Sequence, residues 1–212
     1  MNKGNTMEYK PWIFKNGEQP AAGPASLVEC NGLTIPTGGI GFFIREECAE
    51  ILRISQQIPM RTAVTGDGVG TRTTEHRKSN LVEVYPDPST NWIFEKLEAA
   101  LQQLNNQQYK FDIQGFFEGA QIYEYPEGGF LNWHMDIAKG YMSNRKLSMS
   151  VQLTDGTEYE GGNLEFMDFK ETGPRGIGDL IVFPAFLQHR VSKLTRGKRY
   201  AWVSWVHGPA YR

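Results

Sequence analysis

In the stretch Arg145-Lys-Leu-Ser-Met-Ser-Val-Gln-Leu-Thr154, polar and apolar residues alternate without a break from Lys146 onward. In an extended chain Leu147, Met149, Val151 and Leu153 fall on one face, and Ser148, Ser150 and Gln152 on the other. The apolar face suits packing under helices, and the polar face suits the wall of a pocket.

The same period of two recurs on both sides of this run, in segments broken by Gly and Pro. Strands are predicted at about 117–125, 130–136, 145–154, 163–168, 179–184, 188–193 and 199–207. Parity can be carried along them. If Arg199 points inward, so do Ala201, Val203 and Trp205, while Tyr200, Trp202 and Val206 face out. If Tyr125 points inward, Gln121 and Tyr123 follow it.

Upstream the pattern changes. Cys48, Ile51, Leu52 and Ser55 lie at i, i+3, i+4 and i+7, an amphipathic helix over residues 45–57. A second helix has Asp87 as N-cap, Pro88 at its first position, and a stripe of Ile93, Leu97, Ala100, Leu101 and Leu104. Between them residues 60–80 are Gly/Thr-rich and aperiodic, as expected of a lid loop. Residues 1–40 read as an irregular arm. Two helices followed by a run of strands give an α+β, mainly β fold: a jelly roll with its N-terminal helices packed on one sheet. The 212 residues suit one domain, with helical support and the lid over 41–115 and the jelly-roll core over 116–212.

Composition narrows the function classes. A net charge of −2 gives no reason to expect nucleic acid or a membrane surface as partner. Cys30 and Cys48 make no disulfide framework, the first residues carry no secretory signal, and no apolar run is long enough to span a bilayer. A reducing, cytoplasmic setting is the expectation.

His134-Met135-Asp136 sits in a predicted strand, where residues two apart share a face, so an imidazole and a carboxylate can grip one ion from the same side. His189 follows the strand and turn Gly178-Asp-Leu-Ile-Val-Phe-Pro184. Two His and one carboxylate form a facial triad that leaves three positions open on octahedral Fe(II). Arg199, ten residues after His189, begins the last strand and can clamp a carboxylate through its planar fork. The ordered set is more specific than any of its parts.

Around these residues the chain resembles the prolyl 4-hydroxylase-like branch of the 2-oxoglutarate/Fe(II) oxygenases. The matching stretches are Tyr125-Pro-Glu-Gly-Gly-Phe-Leu-Asn-Trp-His-Met-Asp136, Arg145-Lys-Leu-Ser148, Glu160-Gly-Gly-Asn-Leu-Glu-Phe166, Gly178-Asp-Leu-Ile-Val-Phe183, His189 and Gly197-Lys-Arg-Tyr200. Glu46-Glu47-Cys48 and Arg77-Lys-Ser79 match more weakly. The resemblance implies a double-stranded β-helix with iron on His134, Asp136 and His189. It implies 2-oxoglutarate as co-substrate, with Arg199 and the Tyr125 hydroxyl on its distal carboxylate and Ser148 among the residues that bind it. It further implies O2 as oxidant, ascorbate as a stimulant, and hydroxylation of a C–H bond with release of succinate and CO2. Related halogenases have a small residue where this chain has Asp136, which favours hydroxylation. Prolyl hydroxylases proper have Lys at the Arg199 position and commonly Thr at Ser148, so the resemblance does not fix the substrate. Trp205, Tyr123 and Gln121 are the expected substrate contacts.

Other polar residues have plainer readings. His76 and the Arg77-Lys78 pair read as solvated, His207 as a rim residue, Trp133 as core, and Gly161-Gly162 as a turn or bulge. Two rival functions are a cupin-like metal enzyme without 2-oxoglutarate and a silent jelly-roll binding domain. Cupins usually carry His-x-His with a nearby Glu, which this chain lacks, and the intact triad with Arg199 counts against a silent domain.

Overall fold

A computed structural model describes residues 12–14, 36–64 and 75–211. Strands β1 (Trp12–Ile13) and β2 (Thr37–Gly39) precede helix α1 (Arg45–Ser55). Short strands β3 (Arg61–Thr62), β4 (Arg77–Lys78) and β5 (Asn80–Val84) lead to helix α2 (Asn91–Leu104). Then come β6 (Gly115–Phe116), β7 (Ala120–Tyr125), β8 (Phe130–His134), β9 (Arg145–Gln152) and β10 (Glu160–Gly161). The last are β11 (Leu164–Phe166), β12 (Leu180–Pro184), β13 (His189–Val191), β14 (Leu194–Arg196) and β15 (Arg199–His207).

The larger sheet runs β2-β12-β9-β15-β7-β5-β3, with β6 and β1 attached beside β15; the smaller runs β11-β13-β8-β4. The architecture is the jelly roll that the strand alternation predicts. β9 lies at its centre, between β12 and β15. Its apolar face, Leu147, Met149 and Val151, packs with Cys48, Ile51, Phe94, Leu97 and Leu101 of the two helices. A second buried layer, between the sheets, joins Tyr123, Tyr125, Ile181 and Phe183 to Leu131, Leu164, Phe166 and Val191.

Several expectations are corrected. Trp202 and Val206 do turn away from the cavity, but into the helix layer: Trp202 is 1% exposed and meets Phe94 edge-on at 5.6 Å. Helix α2 starts later than its sequence signal, with Thr90 at the N-cap. Asp87 instead organises the preceding turn, its Oδ1 accepting from the backbone N–H groups of Ser89 (2.7 Å) and Thr90 (3.1 Å). The arm is not wholly irregular, since β1 pairs with β6 and β2 with β12. Of the predicted lid, residues 65–74 lie outside the described residues, and both flanks are strands, β3 against β5 and β4 against β8. β5 itself was hidden in sequence because Leu81-Val-Glu-Val84 is too short to show a period.

Candidate metal centre and its pocket

His134 ends β8 and His189 begins β13, and the two are paired across the smaller sheet. Asp136 follows β8 and is anchored by its backbone N–H, which donates to the Ala185 carbonyl at 2.9 Å. Three potential ligand atoms, one from each residue, lie within 4.8 Å of one another. His134 Nε2 is 3.5 Å from Asp136 Oδ1, and His189 Nε2 is 3.5 Å from Oδ2.

The donors fit a divalent cation. Nδ1 of His134 is 2.9 Å from the Asn132 carbonyl, and Nδ1 of His189 is 2.9 Å from the Leu187 carbonyl. A carbonyl only accepts, so each Nδ1 carries the proton and each Nε2 turns a lone pair toward Asp136. Burial holds His189 neutral, its pKa lowered to about 4. Burial alone would raise Asp136, but positive charge facing it, that of His189 and His134 when protonated and that of Arg145, outweighs burial and holds the carboxyl well below the usual range. Ser148 Oγ donates to Asp136 Oδ2 at 2.6 Å, which places this hydroxyl on the carboxylate of the candidate metal cluster.

The triad opens into a cavity of about 450 Å³ whose lining includes Arg199, Ala201, Val203 and Trp205 of β15 and Gln121, Tyr123 and Tyr125 of β7. Arg199 is 2% exposed; its Nε donates to Gln152 Oε1 at 3.0 Å, while its Nη1 is buried without a hydrogen-bond partner. The Arg199 guanidinium lies 5.4 Å from the Tyr125 ring centre. The Tyr123 hydroxyl donates to Gln121 Oε1. The Trp205 indole Nε1 is buried in the same wall without a partner.

Four residues of this neighbourhood escaped the sequence reading. Arg145 forks onto Glu118 at 2.6 and 2.5 Å, donates to the Asp136 carbonyl at 2.9 Å, and stacks 3.9 Å from the Trp205 ring centre. Burial alone would raise Glu118, but His207 and Arg145 hold it below the ordinary carboxylate range. His207 is no rim residue: it is 4% exposed, with Nε2 3.1 Å from Glu118 Oε1. Arg77 is not a free surface charge either, since it lines the cavity with its guanidinium 4.2 Å from the Tyr123 ring centre. The match of Arg145-Lys-Leu-Ser148 to the oxygenase pattern was the one available signal for Arg145. By contrast His76 and Lys78 are exposed, as read. Trp133 is 39% exposed, under Arg190, and is not core. One residue more on β8 than on β13 between the pairs His189–His134 and Val191–Leu131 breaks the alternation there and turns Trp133 out. Gly161 and Gly162 both have positive φ, as a turn requires.

In one cavity of a jelly roll, fold and site bring together a two-His, one-carboxylate cluster that could hold a metal ion and the buried Arg199 guanidinium. The sequence model described as the 2OG-Fe(II) oxygenase superfamily matches residues 120–207. A PKHD-type hydroxylase of Synechococcus sp. (strain CC9311) is 39% identical over 84 residues, covering 38% of this chain and 37% of the relative. Another, of Teredinibacter turnerae, is 29% identical over 178 residues, covering 74% and 73%. The match thus spans little over a third of the first relative and nearly three quarters of the second. In structure, a Pseudomonas putida prolyl-4-hydroxylase superposes with a TM-score of 0.66 at 18% identity, over 84% of this chain and 94% of that one. A viral collagen prolyl hydroxylase from Paramecium Bursaria Chlorella virus-1, solved with 2OG, gives 0.62 at 17% identity, over 82% and 96%. Over residues 120–207 the sequence is similar to the 2-oxoglutarate/Fe(II) oxygenase superfamily, and over most of its length the fold is that of the prolyl 4-hydroxylase structures.

Proposed function

We propose that this protein is an Fe(II)- and 2-oxoglutarate-dependent dioxygenase that hydroxylates an unactivated C–H of a peptide or small amino-acid-like substrate. The observation that carries the reading is the pairing, in one cavity, of the triad with an unpartnered guanidinium nitrogen on Arg199. A buried cation without an anion is costly, and a dicarboxylate bound at the metal would supply the missing charge.

His134, Asp136 and His189 would hold the iron, and Arg199 with Tyr125 the distal carboxylate of 2-oxoglutarate. Iron held there would let O2 act as oxidant, one oxygen atom entering the succinate that forms with CO2 from 2-oxoglutarate and the other entering the substrate C–H bond. The chain's own work is positioning and exclusion of water. The carbonyls of Asn132 and Leu187 fix the imidazole tautomers, and Ser148 fixes the carboxylate. The Arg145–Glu118 pair satisfies its own charges, so the wall beside it offers a neutral face with the Trp205 indole N–H as donor. Such a face suits an amide carbonyl better than a charged group. Prolyl hydroxylases among the structural relatives make a peptidyl proline the first substrate to test. A cytoplasmic setting accords with Cys48, a buried free thiol that burial pushes up to about 11, and with a metal that must stay reduced. No helix among the described residues is long and apolar enough to cross a membrane.

The test is titration of the anaerobic Fe(II) protein with 2-oxoglutarate, following its visible metal-to-ligand charge-transfer band. Loss of a charge-assisted bidentate contact costs roughly 2–4 kcal/mol, so Arg199→Ala should weaken the affinity about 30- to 1000-fold. Arg199→Lys should recover part of it. An alanine variant that binds as tightly as the parent removes Arg199 as the anchor. Mass-spectrometric screening of proline-rich peptides and free amino acids for the gain of one oxygen atom then identifies the substrate.

A further inference from the structure

The cavity wall holds two buried guanidiniums that are treated in opposite ways. Arg145, 6% exposed, is neutralised within the chain by the Glu118 carboxylate. Arg199, 2% exposed, has no carboxylate partner among the described residues, and its contact is the carboxamide oxygen of Gln152. Gln152 is itself 1% exposed, on the polar face of β9 and opposite Ala201 of β15. We propose that Gln152 is a positioning and specificity-determining residue for the co-substrate. It fixes the plane of the Arg199 guanidinium without cancelling its charge, and so reserves the site for a 2-oxo acid with an anionic tail. This inference rests on the reading of Arg199 given above.

The argument follows from the side chains. Gln152 Oε1 accepts from Arg199 Nε, which fixes the guanidinium in its plane and leaves the buried Nη1 unpartnered. Gln and Glu have nearly the same shape, and either oxygen can accept from Nε. They differ in charge. A carboxylate at this position would form an ion pair with Arg199, as Glu118 does with Arg145, and the site would no longer need an anion. A neutral acceptor gives the orientation and leaves the positive charge for the ligand.

Gln152→Glu and Gln152→Leu are compared with the parent, each loaded with Mn(II) so that binding is read without turnover. Calorimetry measures the affinity for 2-oxoglutarate and for 2-oxopentanoate, which has a methyl group in place of the distal carboxylate. The parent should favour 2-oxoglutarate. Gln152→Glu should lose about 100-fold in 2-oxoglutarate affinity, the scale of one charge-assisted pair. It should hold 2-oxopentanoate within about threefold of the parent, so that the preference collapses. Gln152→Leu keeps the charge but loses the orienting acceptor, and should lose about 10-fold for 2-oxoglutarate while keeping most of the preference. Retention of the parental preference by the glutamate variant, or an equal loss for both ligands, overturns the proposal. Should the glutamate variant not fold, unchanged 2-oxoglutarate affinity in Gln152→Leu overturns it instead. A parent that binds Mn(II) but not 2-oxoglutarate would fell the dioxygenase reading, and this proposal with it.

Discussion

The layer between the helices and the larger sheet and the layer between the two sheets share the same strands, yet they are chemically unlike. Alternate residues of β9 and β15 supply both. Leu147, Met149, Val151, Trp202 and Val206 enter the first, where buried residues are almost all apolar. Ser148, Gln152, Arg199 and Trp205 serve the second, where Asp136, His189 and two guanidiniums are buried among aromatic rings. The first layer offers apolar area removed from water, at about 25 cal/mol per Å². The second carries buried polar groups whose desolvation must be offset one contact at a time. One face of each strand thus stabilises the fold so that the other can hold groups that, unliganded, do not.

The largest separation between the layers should come from His189→Ala. With one of three ligands gone, succinate formation from 2-oxoglutarate should fall to background, while the melting temperature of the metal-free protein should hardly drop. His76→Ala, at an exposed histidine, should keep at least about half of the parental rate, an ordinary surface change. Equal losses in the two variants would undo the triad assignment.

Trp202→Ala should show the reverse. Removing a fully buried indole from the helix layer costs about 3–5 kcal/mol. For a chain of this length that lowers the melting temperature by roughly 6–20 °C, at about 2–4 °C per kcal/mol. At a temperature where the variant remains folded, its Mn(II) affinity should stay within about twofold of the parent, because distant sites act almost independently. Metal loss in parallel with stability would mean that the two layers are coupled.

Ser148→Ala gives the smallest effect and the finest distinction, because Ser148 sits on a central strand but touches the ligand carboxylate. Loss of a hydrogen bond to a ligand typically costs about 10- to 100-fold in metal affinity. Ser148→Thr should restore it, since the hydroxyl returns. A drop in melting temperature without a change in Mn(II) affinity would place Ser148 with the structural layer.

The fold was legible because alternation is local. β9 shows it from Lys146 to Gln152, and its two faces are visible before any partner is known; β15 is apolar on both faces, so its parity could only be carried from Arg199. The candidate metal cluster was partly legible for the same reason, since His134 and Asp136 lie two apart, while His189 joins them only through the pairing of β13 with β8. Elements were misjudged where the chain departs from regular geometry. Trp133 fails at the extra residue in β8, Asp87 caps a turn instead of the helix, and β5 is too short to announce itself.

Sequence by itself determined the two faces of β9, the two helices and the four residues proposed for metal and anion, because periodicity and spacing depend only on neighbours along the chain. Tertiary structure decided the partners. Glu118 meets Arg145 across 27 residues, and Gln152 meets Arg199 across 47. His207 reaches Glu118 where the pairing of β15 with β9 shifts register after Val206. Which buried guanidinium is neutralised and which is left charged depends on strand order and register between segments far apart in sequence. No local pattern encodes that choice, and it separates the neutralised part of the pocket wall from the part left charged.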